Sequence, residues 1–362
     1  MEYGIIPGVK KIAVLRALVL GDLIFVLPAL EALHHAYPQA EIVYVARAWT
    51  ADFVLGRIPG ISQVIGIRPA PADYEDLGFL IHPEDAAWLF PQMEAEHPDI
   101  AISMQGGGKN SNPLVRRLGA RVSIGSLESG ATPLDRCIPY DYYQNDVIRN
   151  LDLVGLAGAQ PRGWVPRLPL LDTDREAAAP FLAQIDRPYV VIHSGARDIR
   201  RMWPPEKFAV VANAIKRKLG MEIILTGSAV DAKAAFQVEN AMKKNAVNLS
   251  HQLSLPALTG VLANAELIIS NDTGVLHLGL AVGTKAVGLY WGEYISKSMP
   301  LSRDSFYPLI AWERRCPLCG LFLDRKEVVR ADPRPCMHQV SFISSITPKQ
   351  VLDAAERMLT YQ

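Results

Sequence analysis

The run Lys11-Ile12-Ala13-Val14-Leu15-Arg16-Ala17-Leu18-Val19-Leu20-Gly21-Asp22, continued by an apolar stretch through Pro28 to Tyr37-Pro38, decides the fold. Taken whole from Ile12 to Leu33, behind Lys10 and Lys11, it could pass for a secretion signal or a membrane span. Arg16, Asp22 and Pro28 break that reading. A charge at mid-bilayer costs about 2.5–3.5 kcal/mol on insertion scales, and this run would carry one at Arg16 and another at Asp22. A buried strand, a turn and a helix fit instead. Glu41–Val45, Ile100–Met104 and Arg121–Ile124 read as further strands between helical patterns, which is how βαβ units on a parallel sheet look in sequence.

Around Gln160 to Pro188 the texture changes, with Pro161, Pro166, Pro169, Pro180 and Pro188 in a stretch of weak periodicity that reads as a linker and domain entry. A second alternation follows: Tyr189–His193, a helix over Pro205–Leu219, then Glu222–Thr226, Leu267–Ser270 and Lys285–Tyr290. At 362 residues the chain exceeds what one hydrophobic core serves, about 250–300 residues. The expected fold is α/β, with two Rossmann-like domains facing across a cleft. The two expected domains span residues 1–170 and 171–345. A last helix, Pro348–Leu359 within 346–362, is expected to pack back toward the first domain.

Lys plus Arg and Asp plus Glu both total 37, so no net charge favours nucleic acid or anionic lipid, and any anion site must be local. No other run of about 20 apolar residues is free of charges. The expected location is cytoplasmic, with room for peripheral contact at the inner face of the membrane. Four cysteines make no disulfide framework, in keeping with a reducing compartment.

Four places can hold chemistry. Asp22 follows the first strand, where a carboxylate can act as a base or simply cap a helix. Ile269-Ser270-Asn271-Asp272-Thr273-Gly274-Val275-Leu276-His277 ends a strand and opens a helix, whose free N–H groups and dipole attract a phosphate. The bland alternative there is a capped helix with a core histidine. His193-Ser194-Gly195-Ala196-Arg197-Asp198-Ile199-Arg200-Arg201-Met202-Trp203-Pro204 offers small residues for close approach and three arginines, of which Arg201 is the choice for a leaving diphosphate. Gln105-Gly106-Gly107-Gly108-Lys109-Asn110-Ser111 is no P-loop, and Lys109 is either an acceptor contact or loop charge. No G-x-G-x-x-G follows either first strand, which removes the main support for a dinucleotide oxidoreductase.

In order, the opening Lys11–Arg16 strand with Gly21-Asp22 and Pro28, Gln105-Gly106 with Lys109, Gly195 to Trp203-Pro204, and Asn271-Asp272-Thr273-Gly274 with His277 resemble glycosyltransferase family 9, which contains the bacterial heptosyltransferases of lipopolysaccharide core assembly. The resemblance spans about Lys10 to Tyr290. It implies a GT-B fold, inverting transfer without a catalytic metal or cofactor, an ADP-heptose donor or related nucleotide sugar, and a glycolipid or other glycan acceptor. By position, Asp22 looks like the catalytic base and Lys109 like an acceptor contact. Ser194, Gly195, Arg201, Asp272, Thr273, Gly274 and His277 look like the donor diphosphate site. Where many members have Lys before the aromatic-Pro pair, this chain has Arg201, so Arg200 is a rival for the phosphate. Other readings are a protein-modifying heptosyltransferase, a GT-B epimerase or hydrolase, and a nucleotide-sugar-binding protein without turnover.

Cys316-Pro317-Leu318-Cys319 with Cys336-Met337-His338 has spacing that suits a zinc or iron knuckle. His338 follows Cys336 too closely to be an easy fourth ligand, and Cys137 lies in the other domain. Reduced thiols are therefore the preferred reading, and no metal ligand is assigned. His34, His35, His82 and His97 read as surface or capping residues.

Overall fold

The computed structural model describes residues 3–68, 82–183, 185–322 and 338–360. The chain divides into two units, Met1–Pro169 and Leu170–Gln362. In the first unit, β1 (Lys11–Leu15), β2 (Glu41–Arg47), β3 (Ile61–Ile67), β4 (Ile100–Ser103), β5 (Val122–Leu127) and β6 (Arg136–Pro139) form one parallel sheet in the order β3-β2-β1-β4-β5-β6. In the second, β7 (Tyr189–His193), β8 (Glu222–Thr226), β9 (Val247–Asn248), β10 (Leu267–Asn271), β11 (Ala286–Trp291) and β12 (Phe306–Ala311) form another, in the order β12-β11-β10-β7-β8-β9. Counted from its own first strand, each sheet therefore runs third, second, first, fourth, fifth, sixth.

Central strands of parallel sheets are covered on both faces, so they read as unbroken apolar runs. Ile12, Ala13, Val14 and Leu15 of β1 are wholly buried, as are Val190, Val191 and Ile192 of β7. Helices cover these runs: Leu20–Ala36 in the first unit and Pro205–Leu219 in the second, the latter burying Phe208, Val211, Ala212 and Ile215. Trp203 fills the second core, edge-on to Phe208 at 4.9 Å, with its indole N–H donating to the carbonyl of Ile346 at 2.9 Å.

The two-unit α/β architecture is as expected from the sequence, but one detail differs. The stretch read as an irregular linker contains the helix Asp172–Leu182, whose Asp174 carboxylate accepts from the N–H of Leu171 at 2.9 Å. It packs on the helix Leu255–Ala263 so closely that a Cβ on Gly260 would lie 2.3 Å from the carbonyl oxygen of Asp174. The last helix, Pro348–Thr360, belongs to the second unit, where Val351, Ala354, Ala355 and Met358 join the core beside Trp203 and Phe342. The apolar stripe of this helix is spent on its own unit. Among the described residues, no helix is long and apolar enough to cross a membrane.

Candidate active site

In each sheet the chain leaves the first strand toward one side and later returns on the other, so the loops after the first and fourth strands diverge at the carboxyl ends, where such folds bind ligands. In the first unit these are the loops after β1 and β4. They are stitched together: the Ala17 N–H donates to the side-chain oxygen of Gln105 at 2.8 Å, the Ser111 hydroxyl donates to the Gln105 carbonyl at 2.8 Å, and the Arg16 guanidinium donates to the Met104 carbonyl.

Asp22 sits in the first turn of the helix Leu20–Ala36. One carboxylate oxygen accepts from the Val19 N–H at 3.2 Å and the other from Arg16 at 2.7 Å. It therefore caps its own helix, yet 20% of its side chain stays exposed while that of Arg16 is 3% exposed. A guanidinium so deeply buried requires anionic partners. Arg16 has a second one in Asp146 at 3.8 Å, and Asp146 is in turn bound by Arg149, whose guanidinium also donates to the carbonyls of Asp141 and Gln144. The carboxylate of Asp22 is thus the outer end of a buried chain of alternating charge. Lys109 is exposed on the neighbouring loop, just before the helix Ser111–Arg117, and no described hydrogen bond joins it to Asp22. Nearby, the Glu128 side chain packs over Gly107, where a Cβ would lie 2.4 Å from its carboxyl carbon and would have to push that side chain aside.

In the second unit, Asn271 at the end of β10 holds both ends of the loop that follows β7. Its amide donates to the carbonyls of Ser194 and Gly195 at 2.9 and 3.1 Å, and its oxygen accepts from the Trp203 N–H at 3.0 Å. Ser194 is buried, and a Cβ on Gly195 would lie 2.3 Å from an oxygen of the Asp231 carboxylate, itself fixed by the N–H and hydroxyl of Ser228.

Asp272 is buried against three partners: Arg201 at 3.4 Å, the His277 ring at 3.3 Å and the Ser298 hydroxyl at 3.1 Å. Burial pushes its carboxyl up, but these partners more than offset that and hold it below the ordinary carboxylate value. Arg201 lies over the Tyr294 ring at 4.6 Å, and its Nε is buried with no hydrogen-bond partner among the described residues. Beside it, Thr273 starts the helix Gly274–Ala281 without a side-chain cap, so the first-turn N–H groups stay available to an anion. His193, at the end of β7, is kept neutral by burial, which lowers its pKa against the opposing pull of Asp231.

Seven residues assigned to one ligand from sequence, Ser194, Gly195, Arg201, Asp272, Thr273, Gly274 and His277, therefore gather at the switch point between β7 and β10. Of these, His277 faces Asp272 and supports it from behind. Arg200 is engaged elsewhere, held bidentately by Asp198 at 2.9 and 2.7 Å and lying over Trp291. Sequence reasoning gave no role to Arg16, Gln105, Asn271, Asp231, Tyr294 or Ser298. Arg16 did carry a signal: a charge set at the end of an unbroken apolar strand is there to be paired.

The family described as Glycosyltransferase family 9 (heptosyltransferase) matches residues 87–305. Lipopolysaccharide heptosyltransferase 2 of Salmonella typhimurium is 25% identical over 371 residues, spanning 97% of this chain and 99% of that protein. A glycosyl transferase family 9 protein from Veillonella parvula superposes with a TM-score of 0.75 at 20% identity, covering 99% of this chain and 98% of the other. The E. coli ADP-heptose lps heptosyltransferase II does so with 0.71 at 19% identity, covering 97% and 98%. At such identities the superpositions establish the common fold, that of the GT-B enzymes.

Proposed function

Since this chain belongs to glycosyltransferase family 9, we propose that it moves a heptose or related sugar from an ADP-sugar to an acceptor hydroxyl, with inversion, in the assembly of lipopolysaccharide core or another surface glycan. Sugar transfer follows from the family; the donor, the stereochemistry and the acceptor are the proposal. An ADP-heptose donor draws on the name of the E. coli relative with the same fold.

The observation that carries the reading is the Arg16–Asp22 pair, a carboxylate with an exposed edge held at the carboxyl end of β1 by a buried guanidinium. In the proposed step Asp22 takes the proton of the acceptor hydroxyl while that oxygen bonds to the anomeric carbon, and the bond from that carbon to the diphosphate oxygen breaks. Lys109, on the adjoining loop, contacts the acceptor. Ser194 and Gly195 give the diphosphate a close backbone approach. Arg201 and the N–H groups at the start of the helix Gly274–Ala281 stabilise its growing negative charge, so that no metal ion is required. Asp272 and His277 hold Arg201 in place. A lipid-linked acceptor would bring the protein to the inner face of the cytoplasmic membrane as a peripheral enzyme.

The test is calorimetry with ADP, UDP and GDP, combined with transfer from ADP-heptose to a heptose-deficient core acceptor. ADP should bind most tightly, and Asp22→Asn should lower turnover about 10²- to 10⁴-fold while ADP affinity stays unchanged. Turnover that survives the substitution would remove Asp22 as the base. Tighter binding of UDP or GDP would redirect the donor.

A further inference from the structure

After β12 the chain makes a tight reversal. The N–H of Cys316 donates to the carbonyl of Leu321 and the N–H of Gly320 to the carbonyl of Cys316, both at 2.8 Å, while Arg315 bridges antiparallel to Phe322. Gly320 has a φ of +70°, a left-handed conformation that glycine adopts without strain. Cys316-Pro317-Leu318-Cys319-Gly320 is therefore a knuckle that turns two sulfurs toward the same place. His338 arrives there from a distant part of the sequence, with its Nδ1 3.4 Å from the Cys316 Sγ. One ligand atom from each of Cys316, Cys319 and His338 lies within 4.8 Å of the others.

We propose that Cys316, Cys319 and His338 bind a structural thiophilic divalent cation, zinc(II) or iron(II). Bond lengths of about 2.3 Å to sulfur and about 2.0 Å to nitrogen set the ligand atoms of a tetrahedral ion roughly 3.5–3.8 Å apart. The three atoms need only small adjustments to reach that spacing. Two thiolates and an imidazole are the donors that select such ions over magnesium or calcium. Three protein ligands leave the fourth position to water; Cys336 lies outside the described residues. This departs from the reading of the sequence alone, in which His338 was a poor candidate; the fold carries it to Cys316.

The site has a structural task. Cys316 is buried in the same core as Trp291, Trp203 and Phe342. Phe342, four residues beyond His338, packs on Trp291 at a ring distance of 4.8 Å and donates its N–H to the carbonyl of Arg200 at 2.8 Å. An ion joining the knuckle to His338 would fasten the backing of the Arg200–Arg201 turn. The inference does not depend on which sugar is transferred.

Elemental analysis of the full chain, purified without a metal-charged resin or chelator, should find about one zinc or iron per chain, and the element detected separates the two. Cys319→Ser alters an exposed side chain, and His338→Ala is the second variant; each should lower bound metal about tenfold or more. Cobalt(II) added to the metal-depleted protein should give thiolate charge-transfer and tetrahedral d–d absorption that both variants lose. A wild-type chain with neither metal nor a cobalt spectrum would overturn the proposal, as would metal content equal in wild type and both variants, or a Cys316–Cys319 disulfide in freshly reduced protein.

Discussion

Asp272, just past the end of β10, and His193, at the end of the neighbouring β7, have opposite charge preferences, and each makes stability depend on pH. The carboxyl of Asp272 is pushed up by burial but held below its usual value by His277, Arg201 and Ser298. Its stabilisation is therefore present above the unfolded value of about 3.9 and is lost as the pH falls through the lower folded value. Asp272→Asn should lower the melting temperature at neutral pH and weaken the dependence on acid; an equal loss at every pH would show that only packing had changed. For His193, burial lowers the folded pKa, so its contribution is present above the unfolded value of about 6.5 and fades as the pH falls below it. His193→Asn should flatten the decline in melting temperature between about pH 6.5 and 5. The two arginines also separate. Arg201→Ala should weaken ADP binding about 10- to 100-fold, as expected on losing a charge-assisted contact of about 1.5–3 kcal/mol. Arg200→Ala, which removes a group already held by Asp198, should change affinity far less. Equal losses in a titration would undo that distinction.

Elements differed in how readily the sequence disclosed them. The four strands that the sequence reading passed over, β3, β6, β9 and β12, are the four sheet edges. Edge strands lack the double cover that produces an unbroken apolar run: β6 and β9 have no buried residue, and β12 carries Pro308, which edge positions tolerate. The helix Asp172–Leu182 was hidden for a related reason, since it buries only Asp174 and Ala178 and carries Pro180. Loop partners were less legible still. Nothing in the spacing of Gly195 and Asp231 announces that their atoms meet, because β8 brings the second loop alongside β7. Gly195→Ala should destabilise the protein by about 1–3 kcal/mol through that collision. Asp231→Gly, which also removes the Asp231 Cβ that would lie 2.6 Å away, should restore part of the loss in the double variant, and strictly additive melting shifts would show that the contact is not the cause.

At the scale of the molecule, the two units and their switch points were legible because both rest on central strands and on the turns that follow them. The buried partners of those turns were not, since pairing of distant side chains is a property of the fold. Each unit has its own core, one around Leu15, Val45, Phe90 and Leu118, the other around Trp203, Phe208, Leu289 and Phe342. A fragment of residues 170–362 should therefore fold cooperatively and retain ADP binding, as thermal melting and calorimetry would reveal; a fragment without a melting transition would count against independent cores. The repeated strand order has an engineering consequence. One scaffold has been written twice in different residues, with the turn proposed to accept a proton in the first copy and the turn proposed to hold the diphosphate in the second. The natural place to recombine relatives is then the boundary between Pro169 and Leu170. Chimeras joined there offer a way to exchange donor preference and acceptor preference as separate cassettes.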